Sequence, residues 1–528
     1  MFRSLLLIQL SLLISFGYQA QTKSSKVEVI WGPEFKTPGN SYQKNVVLQD
    51  ESGLYNLIVE TSLLSRTNYL QKFTPDLKLI RSEPQSFRTL GSYAVLESMF
   101  GMNNQIYAFT SRKSTADKTY SLFSDRIDKE SLKPDNFAET IAEVDFQSGI
   151  LVNRSGSFEY RKSGDESKLL VFMEQPYKRN EAEKFGFKVF DNEMKLIWNQ
   201  DIELPYTDEN FVRTQIRVGN NGQVYVLGRV YDEGTGGVFT AKDYRISILE
   251  YSGSGTPKEF KLDLDGKNMN ELQMTVADNG DLICAGFYSE MGSASSSIKG
   301  SFYLRVNEES GEVERMRTKP FTSEFMRKGM REGAGNRLEK RMEKGRDYEL
   351  NSYDIREIIR RKDGGALLVA ERYFVVVTRT TDANGNTSTT YTYHYEDIVV
   401  VNIDPEGNIE WSQKVSKNQI SKNDAGRYSG YALKVMGDKL FFIFNDNPKN
   451  LYYESGEPAV FRGNVKKAVL MLVEVDRAGN VERELLLSED ESDLYCRPKA
   501  MEVISENEMI MYTRRRKKNQ LARIISIV

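Results

Sequence analysis

Apolar runs and polar, glycine-bearing turns alternate along this chain in a phrase that recurs. "IRVGNNGQVYVLGRV" (216–230), "TVADNGDLICAGFY" (275–288), "IRRKDGGALLVAERY" (359–373) and "LKVMGDKLFFIFND" (433–446) each read as a strand, a tight turn of Asn, Asp and Gly, and a second strand that is mostly apolar. Gly222, Gly280 and Gly364 fall where a hairpin turn needs a positive φ, a conformation that costs glycine little. A second kind of hairpin follows each phrase after a variable loop. "FKVFDNEMKLIWNQDI" (187–202), "FYLRVNEESGEVERMR" (302–317), "VVVNIDPEGNIEWSQKV" (399–415) and "LMLVEVDRAGNVERELL" (470–486) share an apolar strand, an acidic or amide-rich turn and a strand that alternates, as one with a wet face does. Two hairpins in succession make a four-stranded meander.

Meanders start near residues 46, 93, 157, 212, 271, 353 and 431, and a three-stranded unit starts near 497. "KVEVIWGPEF" (26–35), at the other end of the chain, is the candidate for the missing fourth strand. Pairing of the two ends leaves no open sheet edge between the first and last units. The expected fold is all-β: a β-propeller of four-stranded blades, eight by this count and seven if the loosely patterned unit at 93 is not a blade. The repeat resembles exported β-propeller repeat proteins, including quinoprotein-like and WD-like rings, at the level of architecture.

The first residues read as targeting sequence. "MFRSLLLIQLSLLISFGYQAQTKS" carries an early arginine, an apolar run from Leu5 to Phe16 that is short for a bilayer, and the small residue Ala20 before polar sequence. Residues 1–20 are expected to be a signal peptide and 21–528 a single exported domain, periplasmic or extracellular, without membrane insertion and monomeric. With 72 basic and 75 acidic residues the formal net charge is only −3, which gives no bulk attraction to nucleic acid. "TRRRKK" (513–518) falls at a hairpin turn and does not change that.

Two cysteines and one histidine exclude a zinc site of ordinary Cys/His spacing. Cys284 and Cys496 lie in apolar strand patterns of distant units and are expected as separate buried thiols. No metal or cofactor is expected. "NIDPEGNIEW" resembles the tryptophan-docking phrase of quinone-dependent dehydrogenases at Asp404, Gly407 and Trp411, but the alanine and threonine-glycine elements and the adjacent cysteine pair are missing. "DANGN" spaces Asp382, Asn384 and Asn386 as calcium ligands are spaced, yet lacks the glycine and distal glutamate of an EF-hand loop.

Function is sought in the loops. In a propeller the first-to-second and third-to-fourth strand turns emerge on one face, and here they are short. The opposite face gathers the long segments: 174–186, 230–243, 289–300, 378–395 and 445–464. Long loops on one face of a rigid scaffold are where binding surfaces lie. An insertion, residues 322–349, is expected to be helical, with Thr322 or Ser323 as N-cap, apolar Phe325, Met326, Met330, Leu338 and Met342, and a break at Gly333 and Gly335. "FVVVTRTTDANGNTSTTYTYHY" is expected to be a long hairpin whose period-two alternation puts Tyr391, Tyr393 and Tyr395 on one side, a contact surface for a protein or glycan partner, with His394 exposed on the other. The expected function is a binding scaffold rather than an enzyme. The alternative is a polysaccharide hydrolase or lyase using paired carboxylates near the ring axis.

Overall fold

The computed structural model describes residues 24–62, 65–89, 91–135, 137–148, 153–176, 181–207, 210–231, 244–290, 297–344, 350–463, 467–488, 494–515 and 518–527. The expected signal peptide lies outside them. Among the described residues the chain is nearly all strand, with eight antiparallel sheets of four or more strands and one small two-stranded sheet. The first strands of the eight begin at Ser41, Ser92, Ser157, Phe211, Asn268, Tyr353, Ala432 and Glu502. The unit near 93 is the fullest of them, a six-stranded sheet in which short strands at Phe87–Thr89 and Asn153–Ser155 flank the meander.

Why the second strands read as unbroken apolar runs is clear from their surroundings. "LICAGFYS", Leu282–Ser289, is buried at every position. Leu282 and Cys284 pack toward the preceding sheet, against Leu227 and Ile248, while Ile283 and Ala285 pack toward the following one, against Leu368 and Val401. A strand buried on both faces keeps no polar side. The same sharing of clusters links every sheet to the next: Tyr55 and Leu57 with Ile106 and Ala108, Phe109 with Val171, Phe172 with Val226, Val400 with Phe442, and Ile443 with Met511. An eighth cluster joins the last sheet to the first, with Ile510, Tyr512 and Leu521 against Leu54, Ile58 and Phe73. First strands of neighbouring sheets also touch, as at Ser41–Asp50 with Ser92–Met102 and at Asn268–Val276 with Tyr353–Arg360. The architecture is propeller-like.

The chain ends meet. Val27–Trp31 pairs antiparallel with Lys518–Ser526, Val29 opposite Ile524. Val27 and Val29 are buried there, and Lys26 bridges Glu474 and Glu482 at 2.9 and 2.5 Å. Gly222, Gly280 and Gly364 have φ of +87°, +92° and +91°.

Two details differ from the sequence-based expectation, and a third adds to it. The third-to-fourth strand connection of the second sheet, between Ile127 and Glu139, is long for its face, and ion pairs Lys129–Asp50 and Lys72–Glu130 tie it to the first sheet. The helical insertion breaks before its glycines: α1 is Ser323–Arg327, capped by Thr322, and α2 is Glu332–Glu343, containing both Gly333 and Gly335. Gly335 is helical because α1 crosses it closely; a β-carbon there would stand 2.9 Å from Arg327 Nε. Residues 345–349 of the insertion lie outside the described residues. Finally, Trp411 donates its indole N–H to Arg477 O, 2.9 Å, in the next sheet, and Trp198 does the same to Gly222 O at 3.0 Å. Outer-strand tryptophans here fasten neighbouring sheets.

Candidate functional site

The sixth sheet carries the longest hairpin, Ala366–Thr381 with Thr387–Ile403. Its register pairs Val377 with Tyr391, Val375 with Tyr393 and Tyr373 with Tyr395, so these six share one face. Burial deepens from tip to root. Tyr391 is 44 % exposed beside exposed Val377, Tyr393 is half-buried, and Tyr395 is 5 % exposed. The three tyrosines are therefore not an even surface stripe: Tyr395 packs against Tyr373 with ring centres 4.7 Å apart and the rings tilted by 46°, and its hydroxyl accepts from Lys499 Nζ at 3.0 Å. Burial raises its pKa. His394 is not freely exposed either, because its ring stacks at 4.4 Å on Phe374. A third strand, Gln419–Lys422, runs along the hairpin opposite Thr392–Tyr395 and stiffens its lower half. At the tip Asp382 accepts from the backbone N–H groups of Asn384 and Asn386, both 2.9 Å, so this carboxylate closes its own turn. Among the described residues no group of His, Cys, Asp or Glu is arranged to hold a metal ion.

Below the hairpin lies a buried polar cluster. Glu371, at the end of the buried stretch of its strand, accepts from Lys417 Nζ at 2.7 Å and from Arg356 at 3.1 Å. The side chains of Lys417 and Glu371 are 0 % and 3 % exposed. Lys417 also donates to Gln419 Oε1, 3.2 Å, and Gln419 in turn accepts from Gly430 N and donates to Asn445 O, both 2.8 Å. Charges this deep are tolerable only when paired and hydrogen-bonded. Glu371 is committed to two cations, the arrangement of a structural anchor rather than of a base awaiting a proton.

Two cavities flank the cluster. One, of about 440 Å³, is lined by Arg356, Glu357, Glu371, Tyr373, Tyr395 and Lys499, among others. It lies between the first strands of the sixth and seventh sheets, at Arg356 and Glu357 of one and Ala432 and Leu433 of the other. The other, of about 350 Å³, is lined by Arg331, Arg372, Glu396, Asp397, Lys414 and Lys417 under the helical insertion. Burial raises the Asp397 carboxyl pKa and lowers that of the Lys414 ammonium. The insertion is held over this cavity by an Arg331–Glu457 ion pair and by Lys328, which donates to Gln413 Oε1 at 2.7 Å. Next to it, Tyr452 stands 85 % exposed on the short helical turn Pro448–Tyr452.

Elsewhere, a cavity of about 430 Å³ beside the third sheet gathers Asp145, Glu181, Glu183, Asp201 and Glu203, but these carboxylates sit at the surface with no buried framework. Cys284 and Cys496 are separate, free and buried, and burial pushes both thiols up to about 12.

Sequence reasoning located the hairpin but missed the cluster at its root. The available signal was Glu371 itself, a charge ending the apolar run "ALLVA". Nothing in "KVSKNQISK" distinguishes buried Lys414 and Lys417 from solvated ones.

No family model matches the sequence, and no curated protein matches it. Among solved structures the chain is similar to the WD40 domain of SCAP from fission yeast, with 8 % identity over 95 % of this chain and 94 % of that one and a TM-score of 0.37. It is similar to the polysaccharide lyase Uly1, with 10 % identity over 82 % and 90 % and a TM-score of 0.38. A protein of unknown function from Bacteroides caccae matches with 11 % identity over 68 % and 94 % and a TM-score of 0.27.

Proposed function

We propose that this chain is an exported, eight-bladed β-propeller, closed by its N-terminal strand, that serves as a binding scaffold for a protein or glycan partner. The partner docks on the long-loop face around the hairpin of the sixth blade. One observation carries this: the hairpin presents exposed Tyr391, Val376 and Val377 from a root fixed by the buried Lys417–Glu371 pair. A rigid root under an exposed aromatic tip supplies contact area with few rotamers left to freeze. Tyr391 and Tyr393 are the contact residues and Tyr395 anchors them.

The experiment is capture on glycan arrays and by protein pull-down, with wild type beside the Tyr391→Ser/Tyr393→Ser variant. The variant keeps its melting temperature and loses at least about 2 kcal/mol of affinity if one ring is a hot spot. Unchanged capture by the variant removes this surface from consideration.

The enzyme alternative, a polysaccharide hydrolase or lyase, needs paired carboxylates near the ring axis; Glu502, a first-strand carboxyl whose pKa burial raises to about 7, is a candidate member of such a pair. Polysaccharide cleavage abolished by Glu502→Gln would decide for it.

A further inference from the structure

Between the sixth and seventh sheets, beneath the helical insertion, three cations face one small cavity of about 200 Å³. Lys328, Lys414 and Arg483 line it together with Ser416, Tyr453 and Glu454, and Leu451 and Val481 form its apolar wall. Lys414 is among the largest fully buried side chains of the protein. Its ammonium donates to the carbonyls of Met326 and Lys328, both 3.2 Å, and lies 5.2 Å from the Phe325 ring. No carboxylate stands within ion-pair distance of it among the described residues; Asp397 acts on it from farther away. Lys328 likewise has an amide partner and, among the described residues, no carboxylate within ion-pair distance; Asp397 and Glu324 act on it from farther away.

Arg483 has one loose ion pair, with buried Asp446. One guanidinium nitrogen donates to Ser416 O, while Nη1 is buried without a hydrogen bond, 3.7 Å from Asp446 Oδ2. Ser416 Oγ is also buried and lies within hydrogen-bonding reach of the Tyr453 hydroxyl, which donates to Gly456 O at 2.7 Å. Gly329 completes the wall: a β-carbon there would meet Asp397 at 3.0 Å and Ser416 Oγ at 3.3 Å. Buried cations are ordinarily matched one to one by anions, and an unmatched group is costly. Here three cations line one space and a single carboxylate, that of the exposed Glu454, lines it with them. Its volume is below that of a pocket for a whole drug-sized ligand, so it suits one charged group of a larger molecule.

We propose that this cavity is a binding site for a single oxyanion, a sulfate or carboxylate, held by Lys328, Lys414 and Arg483 with Ser416 as a neutral hydrogen-bond donor. Taking that oxyanion to be a substituent of an acidic glycan rests on the binding-scaffold reading above; the anion site itself does not. Guanidinium and ammonium groups give charge-assisted bonds to such oxygens, shorter and stronger than neutral ones.

The test is a titration of the purified chain with millimolar sodium sulfate, read by melting temperature and calorimetry, against sodium chloride at matched ionic strength. Wild type shows a saturable rise in Tm of at least about 1 °C with sulfate and none with chloride. Lys328→Gln, a half-buried position, loses that rise while remaining folded. Lys414→Met loses it too and melts higher than wild type in sulfate-free buffer, because an unmatched buried charge has gone; a purely structural lysine would melt lower. Equal responses to sulfate and chloride, or a sulfate response retained in both variants, overturns the site. Chondroitin sulfate, hyaluronate and neutral dextran form the second arm. Binding of either acidic polymer but not dextran, lost in Lys328→Gln, supports a glycan-borne anion. A sulfate response without polymer binding keeps the anion site and overturns its glycan source.

Discussion

Replacing Glu371 by Gln keeps the side chain's shape and removes one charge from the most deeply buried ion pair at the candidate site. Lys417, 0 % exposed, is left with an amide oxygen in place of the carboxylate at 2.7 Å and with Gln419 at 3.2 Å. Breaking one side of a buried pair costs about 3–5 kcal/mol because the remaining charge is stranded. The new amide still accepts a hydrogen bond, and Arg356 is 37 % exposed and can turn to water, so the lower end applies, about 3 kcal/mol. Lys417→Met leaves Glu371 still paired with Arg356 and costs about 1 kcal/mol, and Glu371→Gln/Lys417→Met removes both charges and returns to within about 1 kcal/mol of wild type, a coupling of roughly 3 kcal/mol. Urea unfolding of the wild type, both single variants and the double variant at pH 7 measures the cycle. A loss below about 1 kcal/mol in Glu371→Gln, or strictly additive single effects, refutes the pair as the anchor of the hairpin root.

Deleting residues 24–31 removes Val27 and Val29 from the core and leaves the outer edge of the Lys518–Ser526 strand unpaired; a loss of about 3 kcal/mol or more is expected, and an unchanged melting temperature contradicts closure by this strand. Burial pushes the Glu502 carboxyl from its ordinary 4.5 up to about 7. Its folded pKa is raised, so its contribution is fully present below pH 4.5 and lost as pH rises through 7. Glu502→Gln should therefore gain up to about 2 kcal/mol on wild type at pH 8 and nothing at pH 4; a pH-independent difference in denaturant midpoints would refute this. Cys284 and Cys496, with pKa values pushed up to about 12 by burial, should both resist a thiol reagent in the native protein and both react in denaturant.

The meander repeat was legible because a strand buried on both faces leaves a mark no helix or loop leaves. "LICAGFYS" is unbroken in burial as in hydrophobicity, and the turn glycines sit at positive φ because each closes a three-residue hairpin loop at its left-handed last position. Alternation likewise gave the shared face of Tyr391, Tyr393 and Tyr395. It could not give depth along that face: Tyr395 is buried by Tyr373, Lys499 and Gly426, three residues from separate segments. The break in the helical insertion escaped for a related reason, since Gly335 is placed in a helix by the close crossing of Arg327 rather than by its own propensity. The buried charges were illegible altogether. Lys414, Lys417 and Arg483 look like ordinary outer-strand and loop cations until α1 and the 447–463 loop close over them.

Hydrogen exchange in the presence and absence of a captured partner tests the binding claim most directly, because every peptide of both faces is read in one experiment. The account predicts slowed exchange in 372–397 and 447–463 on the long-loop face, with no change in the short turns at 219–223, 277–281, 404–408 and 476–480. Protection confined to those short turns would contradict it.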